Sequence, residues 1–231
     1  MKSRPAEAAG LLSVTLAVAS LAGCARFEPV TAAQLDRGYV LLLPGVANKP
    51  ASMTGIAGGL RDAGIDCAIE RDLWGSRPFG ELKNVQSLER NRKWAADRAG
   101  RLAEYRCSHP EQPITLIGYS GGGAIALFVC ESLPTDVKVD RLILLASAVS
   151  PDYDLAPALE HCRRGIVNVY SHEDWFNAGL LTETFGTMDR KKTSTAGRLG
   201  FLDANGKLAV RDGLTQIAWT PDWRKLGHWG G

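Results

Sequence analysis

Ile114-Thr115-Leu116-Ile117-Gly118-Tyr119-Ser120-Gly121-Gly122-Gly123 runs from an apolar segment into a glycine-rich turn, and a second apolar segment follows at once. A short apolar run without alternation suits a strand buried on both faces of a parallel sheet. The turn is a G-x-S-x-G pentapeptide lodged between a strand and a helix, the setting in which that motif carries meaning. Such a turn is tight and strained and lifts the serine Oγ above the sheet, so side chains at 118 or 122 would collide across it. A helix starting at Ser120 also points its positive end at developing negative charge. The bland alternative is a glycine-rich strand–helix turn with no chemistry.

The flanking sequence repeats the strand–helix rhythm. Further strands are predicted at 39–43, 65–69, 141–146, 166–170 and 214–219, and helices at 52–63, 83–106, 121–133 and 155–162. In the long helix, Val85, Leu88, Ala95, Ala99 and Leu102 share one face. Alternating strands and helices imply right-handed crossovers and a sheet covered on both sides. Asn205-Gly206, between Phe201-Leu202 and Leu208-Ala209-Val210, signals a type I′ hairpin on the surface. The run Asp189-Arg190-Lys191-Lys192 reads as a solvated loop.

Composition excludes several classes. Among 231 residues, 27 basic and 25 acidic side chains leave a net charge of +2, too even for a nucleic-acid binder that relies on a basic field. Hydrophobic residues at 45% exceed what a disordered chain carries. No apolar run approaches the roughly 18 residues of a membrane span. No phosphate-binding glycine loop, cofactor fingerprint or metal-ligand cluster stands out, so no cofactor and no metal are expected.

The first residues read as a targeting segment. Lys2 and Arg4 precede an apolar stretch, 11–22, that ends in Leu21-Ala22-Gly23-Cys24. This resembles the bacterial lipobox, which implies lipidation of Cys24 and an exported, membrane-anchored protein facing the periplasm or cell surface. An ordinary signal peptide, or a buried helix with an incidental cysteine, is the alternative. The expected organisation is a signal at 1–23, a tether at 24–37 and one domain at 38–231. Cys67, Cys107, Cys130 and Cys162 lack C-x-x-C spacing. After export they could form one or two disulfides, or stay as buried thiols.

The strand order and the Ser120 turn resemble the α/β-hydrolase superfamily across nearly the whole domain, more loosely its exported lipase/esterase-like members. The resemblance implies a three-layer α/β sandwich with a mostly parallel sheet of about six strands and no large cap, because the segment between Ser147 and Arg164 is short. It also implies the order Ser…acid…His. Asp174, in Ser171-His172-Glu173-Asp174-Trp175 after the strand at 166–170, is the expected acid, with Glu173 the competitor. Of four histidines, His109 and His161 precede strands and so sit on the wrong sheet edge, and His172 crowds the acid. His228, after the last strand, remains as the base; a frayed tail is the alternative. Gly121 N–H and a second donor from the loop after the first strand, Val46 or else Ala47, would form the oxyanion hole. Where family members often carry His-Gly, this chain has Pro44-Gly45.

Trp74, Phe79 and Trp175, with Phe176 and Trp229, lie on loops at the same edge and could line an apolar acyl pocket, or simply pack beneath the loops. The resulting expectation is a serine hydrolase cleaving small-molecule or lipid carboxylic esters through an acyl-serine. A peptidase or thioesterase would use the same machinery. A binding lipoprotein that keeps the fold without catalysis is the alternative of a different class. Nothing in the sequence sets the oligomeric state.

Overall fold

The computed structural model describes residues 29–49, 53–76, 80–173 and 186–226. Among them, six strands form one parallel sheet: β1 (Tyr39–Leu43), β2 (Ala68–Arg71), β3 (Ile114–Tyr119), β4 (Arg141–Leu145), β5 (Ile166–Tyr170) and β6 (Leu214–Ala218). Their order is β2-β1-β3-β4-β5-β6. The chain moves one way from β1 to β2, then returns past β1 to β3 and continues outward. That reversal puts a topological switch point between β1 and β3, where α/β sheets bind their ligands.

The sheet separates two apolar layers. In β1, Leu41 and Leu43 face one layer and Val40 and Leu42 the other, as the two-residue repeat of a strand requires. The first layer is the larger. It is covered by α4 (Leu88–Ser108), α5 (Gly121–Glu131) and α6 (Ala156–Glu160). Helix α5 is apolar all round and buried from Gly121 to Cys130, as befits a helix wedged between sheet and α4. The second layer is smaller, with Ile56, Ala57 and Leu60 of α2 (Thr54–Asp62) packed on Val40, Leu42, Ile69 and Ile117.

Several elements depart from expectation. Strand β2 starts at Ala68 rather than 65, because Gly64 turns with φ +81 and leaves Ile65 exposed. The long helix is two helices, α3 (Glu81–Gln86) and α4, broken at Ser87. The Asn205-Gly206 turn is not type I′, since that turn needs positive φ at both residues and only Gly206 has it, at +73. Instead Gly206 N–H bonds the Asp203 carbonyl, and the Asp203 carboxylate caps the N–H groups of Asn205 and Lys207. Those N–H groups, Lys207's foremost, hold the Asp203 carboxyl below its usual range. Part of the expected tether is folded: Thr31 opens α1 (Ala32–Leu35) with a capping box, and Val30 and Leu35 pack on the core.

Between β4 and β5 the chain holds only the five-residue α6, so no cap domain interrupts that crossover. Segment 186–200, with α7 (Ala196–Leu199), folds back over the ends of β4 and β5; Met188 N–H reaches Ala148 O and Ala196 N–H reaches Val149 O. Cys67, Cys130 and Cys162 are buried, Cys107 is exposed, and all four are free thiols. A hydrogen bond with Cys162, together with burial, pushes the Cys130 thiol up. Among the described residues no helix is long and apolar enough to cross a membrane. Cys24 and residues 1–23 lie outside the described residues.

Candidate active site

Ser120 joins β3 to α5 with φ 52 and ψ −120, a conformation that L-residues rarely adopt. The surrounding backbone enforces it. Ser120 N–H donates to Leu145 O at 2.8 Å, and Ser120 O accepts from Gly123 N–H at 2.9 Å and Ala148 N–H at 3.1 Å. The flanking glycines are steric necessities. A Cβ on Gly118 would overlap the carbonyl of Gly122, and one on Gly122 would overlap the carbonyl of Leu43. The strained turn that the sequence implies is therefore present.

The loop after β1 lies against this turn. A Cβ on Gly45 would sit 3.3 Å from Ser120 Cβ, and one on Gly121 would overlap Val46 Cγ1 and lie 3.3 Å from Val46 N. Both expected oxyanion donors, Gly121 and Val46, thus stand beside the serine. Among the described residues, neither N–H donates to a backbone carbonyl. The first turn of α5 adds its positive end at the same spot.

The other expected residues are distributed unevenly. Because all six strands are parallel, the ends of β1, β3, β5 and β6 share one edge with Ser120. At the end of β5, Ser171 is buried and His172 and Glu173 are exposed, and Glu173 N–H donates to Ser171 Oγ at 3.2 Å. Asp174, Trp175 and Phe79 lie outside the described residues. A 3₁₀ helix (Pro221–Leu226) follows β6 and leads towards His228, which also lies outside them. Two rejected histidines are accounted for elsewhere. His109 stacks on Tyr105 at 4.5 Å with Nε2 3.4 Å from Asp36, and His161 Nδ1–H donates to Val137 O at 2.9 Å.

Trp74, expected among the pocket-lining rings, is only 4% exposed. Its Nε1–H donates to Pro44 O at 2.7 Å, and its ring reaches within 3.3 Å of a Cβ on Gly121. It braces the Val46 loop from below. Close by, burial pushes the Asp72 carboxyl above the carboxylate range, against the pull of Arg98 and Arg101. Sequence reading missed Asn84 and Asn91, fully buried amides under the same loop. Their available signal was a polar residue inside an apolar stripe: Asn91 lies four residues before Ala95 on the buried face of α4. Among the described residues, no group of three or more His, Cys, Asp or Glu is arranged to hold a metal ion.

A parallel sheet of this order, with a strained serine at its switch point and no large insertion before β5, defines a minimal α/β-hydrolase fold. Residues 35–184 match the profile of the family described as serine aminopeptidase, S33, and the chain belongs to that family. No curated protein matches the chain. Among solved structures, similarity is seen to a monoacylglycerol lipase from Paleococcus ferrophilus, 12% identical over 83% of this chain and 91% of that one, with a TM-score of 0.47. A protein described as a hydrolase from Thermoplasma acidophilum is 15% identical over 84% of this chain and 81% of that one, with a TM-score of 0.46. Both likenesses are loose.

Proposed function

We propose that the chain is a serine hydrolase that cleaves carboxylic esters through an acyl-serine intermediate. The observation that carries the reading is Ser120, held at positive φ beside the N–H groups of Gly121 and Val46. A hydroxyl strained above a sheet, next to two N–H groups that bond no backbone carbonyl among the described residues, suits an attack that generates an oxyanion.

In this reading Ser120 Oγ attacks the ester carbonyl while His228 takes its proton, and Asp174 orients His228 and stabilises the imidazolium. Gly121 and Val46 donate to the oxyanion. The tetrahedral intermediate collapses, the C–O bond to the alcohol breaks, and His228 returns the proton to the departing oxygen. Water then attacks the acyl-serine with His228 as base, releasing the acid and restoring Ser120.

The name of the matched family favours a second reading, amide cleavage at a peptide N-terminus by the same groups. A panel separates them: p-nitrophenyl esters of increasing acyl length, aminoacyl p-nitroanilides and acyl thioesters. The expected result is turnover of esters well above anilides, with Asp174→Asn losing roughly ten-thousand-fold in kcat and Ser120→Ala and His228→Ala roughly a millionfold. Faster anilide turnover would favour the peptidase. No turnover of any class would leave a non-catalytic binding protein.

We further propose export and anchoring to the membrane through a lipid on Cys24, supported by Lys2, Arg4, the apolar stretch and Leu21-Ala22-Gly23-Cys24. Cells expressing the full chain should incorporate labelled palmitate into the wild type and not into Cys24→Ser. Equal labelling, or none, would overturn this.

A further inference from the structure

The loop at 44–48 is held from beneath by buried side chains that belong to no catalytic motif. We propose that Asn84, assisted by Trp74, is a positioning residue for the oxyanion hole. Asn84 fixes the Val46–Ala47 peptide plane and Trp74 the Pro44–Gly45 plane, so that the N–H groups of the loop face Ser120. The proposal rests on the acyl-serine reading above and names the part of the fold that keeps the site ready.

The geometry follows from the planar trans peptide, in which the carbonyl of one residue and the N–H of the next point in opposite directions. Three consecutive carbonyls of the loop are each tied back. Pro44 O accepts from Trp74 Nε1–H at 2.7 Å, Gly45 O from Asn48 N–H at 2.8 Å, and Val46 O from Asn84 Nδ2–H at 2.8 Å. The N–H groups of Gly45, Val46 and Ala47 are thereby turned the other way. Asn84 acts directly on the Val46–Ala47 peptide, aiming the Ala47 N–H and pinning Val46, whose own N–H stands beside Gly121.

Asn84 is itself immobilised. Its Oδ1 accepts from Ser76 N–H at 2.8 Å and from Arg90 at 2.9 Å, and its Nδ2 also donates to Ser76 O at 3.1 Å. Reversing the amide would set its oxygen against two carbonyls, so only one orientation satisfies the network. Arg90 also donates to Ser76 Oγ and Asn91 Oδ1, and Asn91 Nδ2 donates to the Asn84 carbonyl at 2.7 Å. A Cβ on Gly75 would overlap the Asn84 amide, so residue 75 must be glycine for the amide to fit. The break between α3 and α4 at Ser87 leaves Asn84 on a separate short helix beneath the loop. A buried amide is costly unless its bonds are made. A leucine would fill the space more cheaply, but could not hold the Val46 carbonyl.

Two near-isosteric variants test this. Asn84→Asp keeps an acceptor for Ser76 and Arg90 but loses the donor to Val46. Trp74→Phe keeps a ring but loses the donor to Pro44. Wild type and both variants are assayed for kcat and KM on p-nitrophenyl butyrate, with thermal unfolding recorded on the same samples. The expected result is a kcat lower by about a hundredfold for Asn84→Asp and about tenfold for Trp74→Phe, at a KM within about twofold of wild type. If Asn84→Asp fails to fold, Trp74→Phe carries the test. Variants that keep wild-type kcat, or lose it only in proportion to the unfolded fraction, overturn the proposal and leave the acyl-serine reading standing. A wild type that hydrolyses no ester overturns both.

Discussion

At the scale of single residues, the site is built by exclusion of side chains as much as by their chemistry. Ser120 can hold φ 52 only because Gly118 and Gly122 let three backbone segments meet around it. Gly122→Ala should therefore cost about 3 kcal/mol or more in urea unfolding, because its Cβ meets the carbonyl of Leu43 rather than a yielding side chain. A loss below 1 kcal/mol, on the scale of ordinary surface substitutions, would contradict the packing. The proposed base makes a second prediction. His228 must be neutral to accept the Ser120 proton, so kcat/KM should fall as pH drops and the imidazole takes up a proton. A profile flat from about pH 5 to 8, the range in which an unperturbed histidine titrates, would remove His228 from the role. The strained serine was legible in the sequence, since glycines flanking a serine between strand and helix have few other uses. Asn84 and Asn91 were not. Hydropathy marks polar residues as exposed, and only the folded chain brings Asn84 to Val46, 38 residues away.

At the scale of elements, β1, β4, β5 and the edge strand β6 were legible to within a residue, and β2 was blurred. β1 and β5 match their apolar runs because both lie inside the sheet. β2 is an edge strand, and it continues into Glu70 and Arg71, which periodicity assigns to solvent. Glu70 instead accepts from the Tyr39 hydroxyl at 2.6 Å. Burial and that carboxylate push the Tyr39 phenol up, so its hydroxyl keeps the proton it donates between neighbouring strands. The junction from α4 into β3 depends on one cation. Arg106 donates to the carbonyls of Pro110, Gln112 and Lys138, and sits 3.4 Å from Asp140, whose carboxylate accepts from Ile114 N–H. Arg106→Met should lower the unfolding free energy by about 3 kcal/mol, because three carbonyls lose a donor and the half-buried Asp140 carboxylate is left with Ile114 N–H and the more distant Arg163. An unchanged denaturation midpoint would show that water replaces the guanidinium at no cost.

At the scale of the whole molecule, the two sides of the sheet are unequal. Among the described residues, one carries α4, α5 and α6 and most of the core; the other carries α2, and Ile143, Leu145, Val167 and Val169 on it are only half-buried. Stability should follow that asymmetry. Leu127→Ala, in fully buried α5, should cost about 3 kcal/mol, and Ile143→Ala distinctly less, by urea unfolding of both. Equal losses would mean that the second face is better covered than its exposure indicates. The parallel architecture was legible from chain order through the first four strands, each of which is followed by a predicted helix, while the count of about six strands followed from the resemblance. What gives the fold chemical meaning is the meeting of the β1 loop with the Ser120 turn at the switch point, and that claim can be tested in one step. A fluorophosphonate transfers its phosphonyl group to an activated serine and releases fluoride. Intact-mass measurement of the treated protein should show one adduct, mapped to Ser120, and none on Ser120→Ala. A wild type that stays unlabelled, or a Ser120→Ala variant labelled equally, would contradict the account.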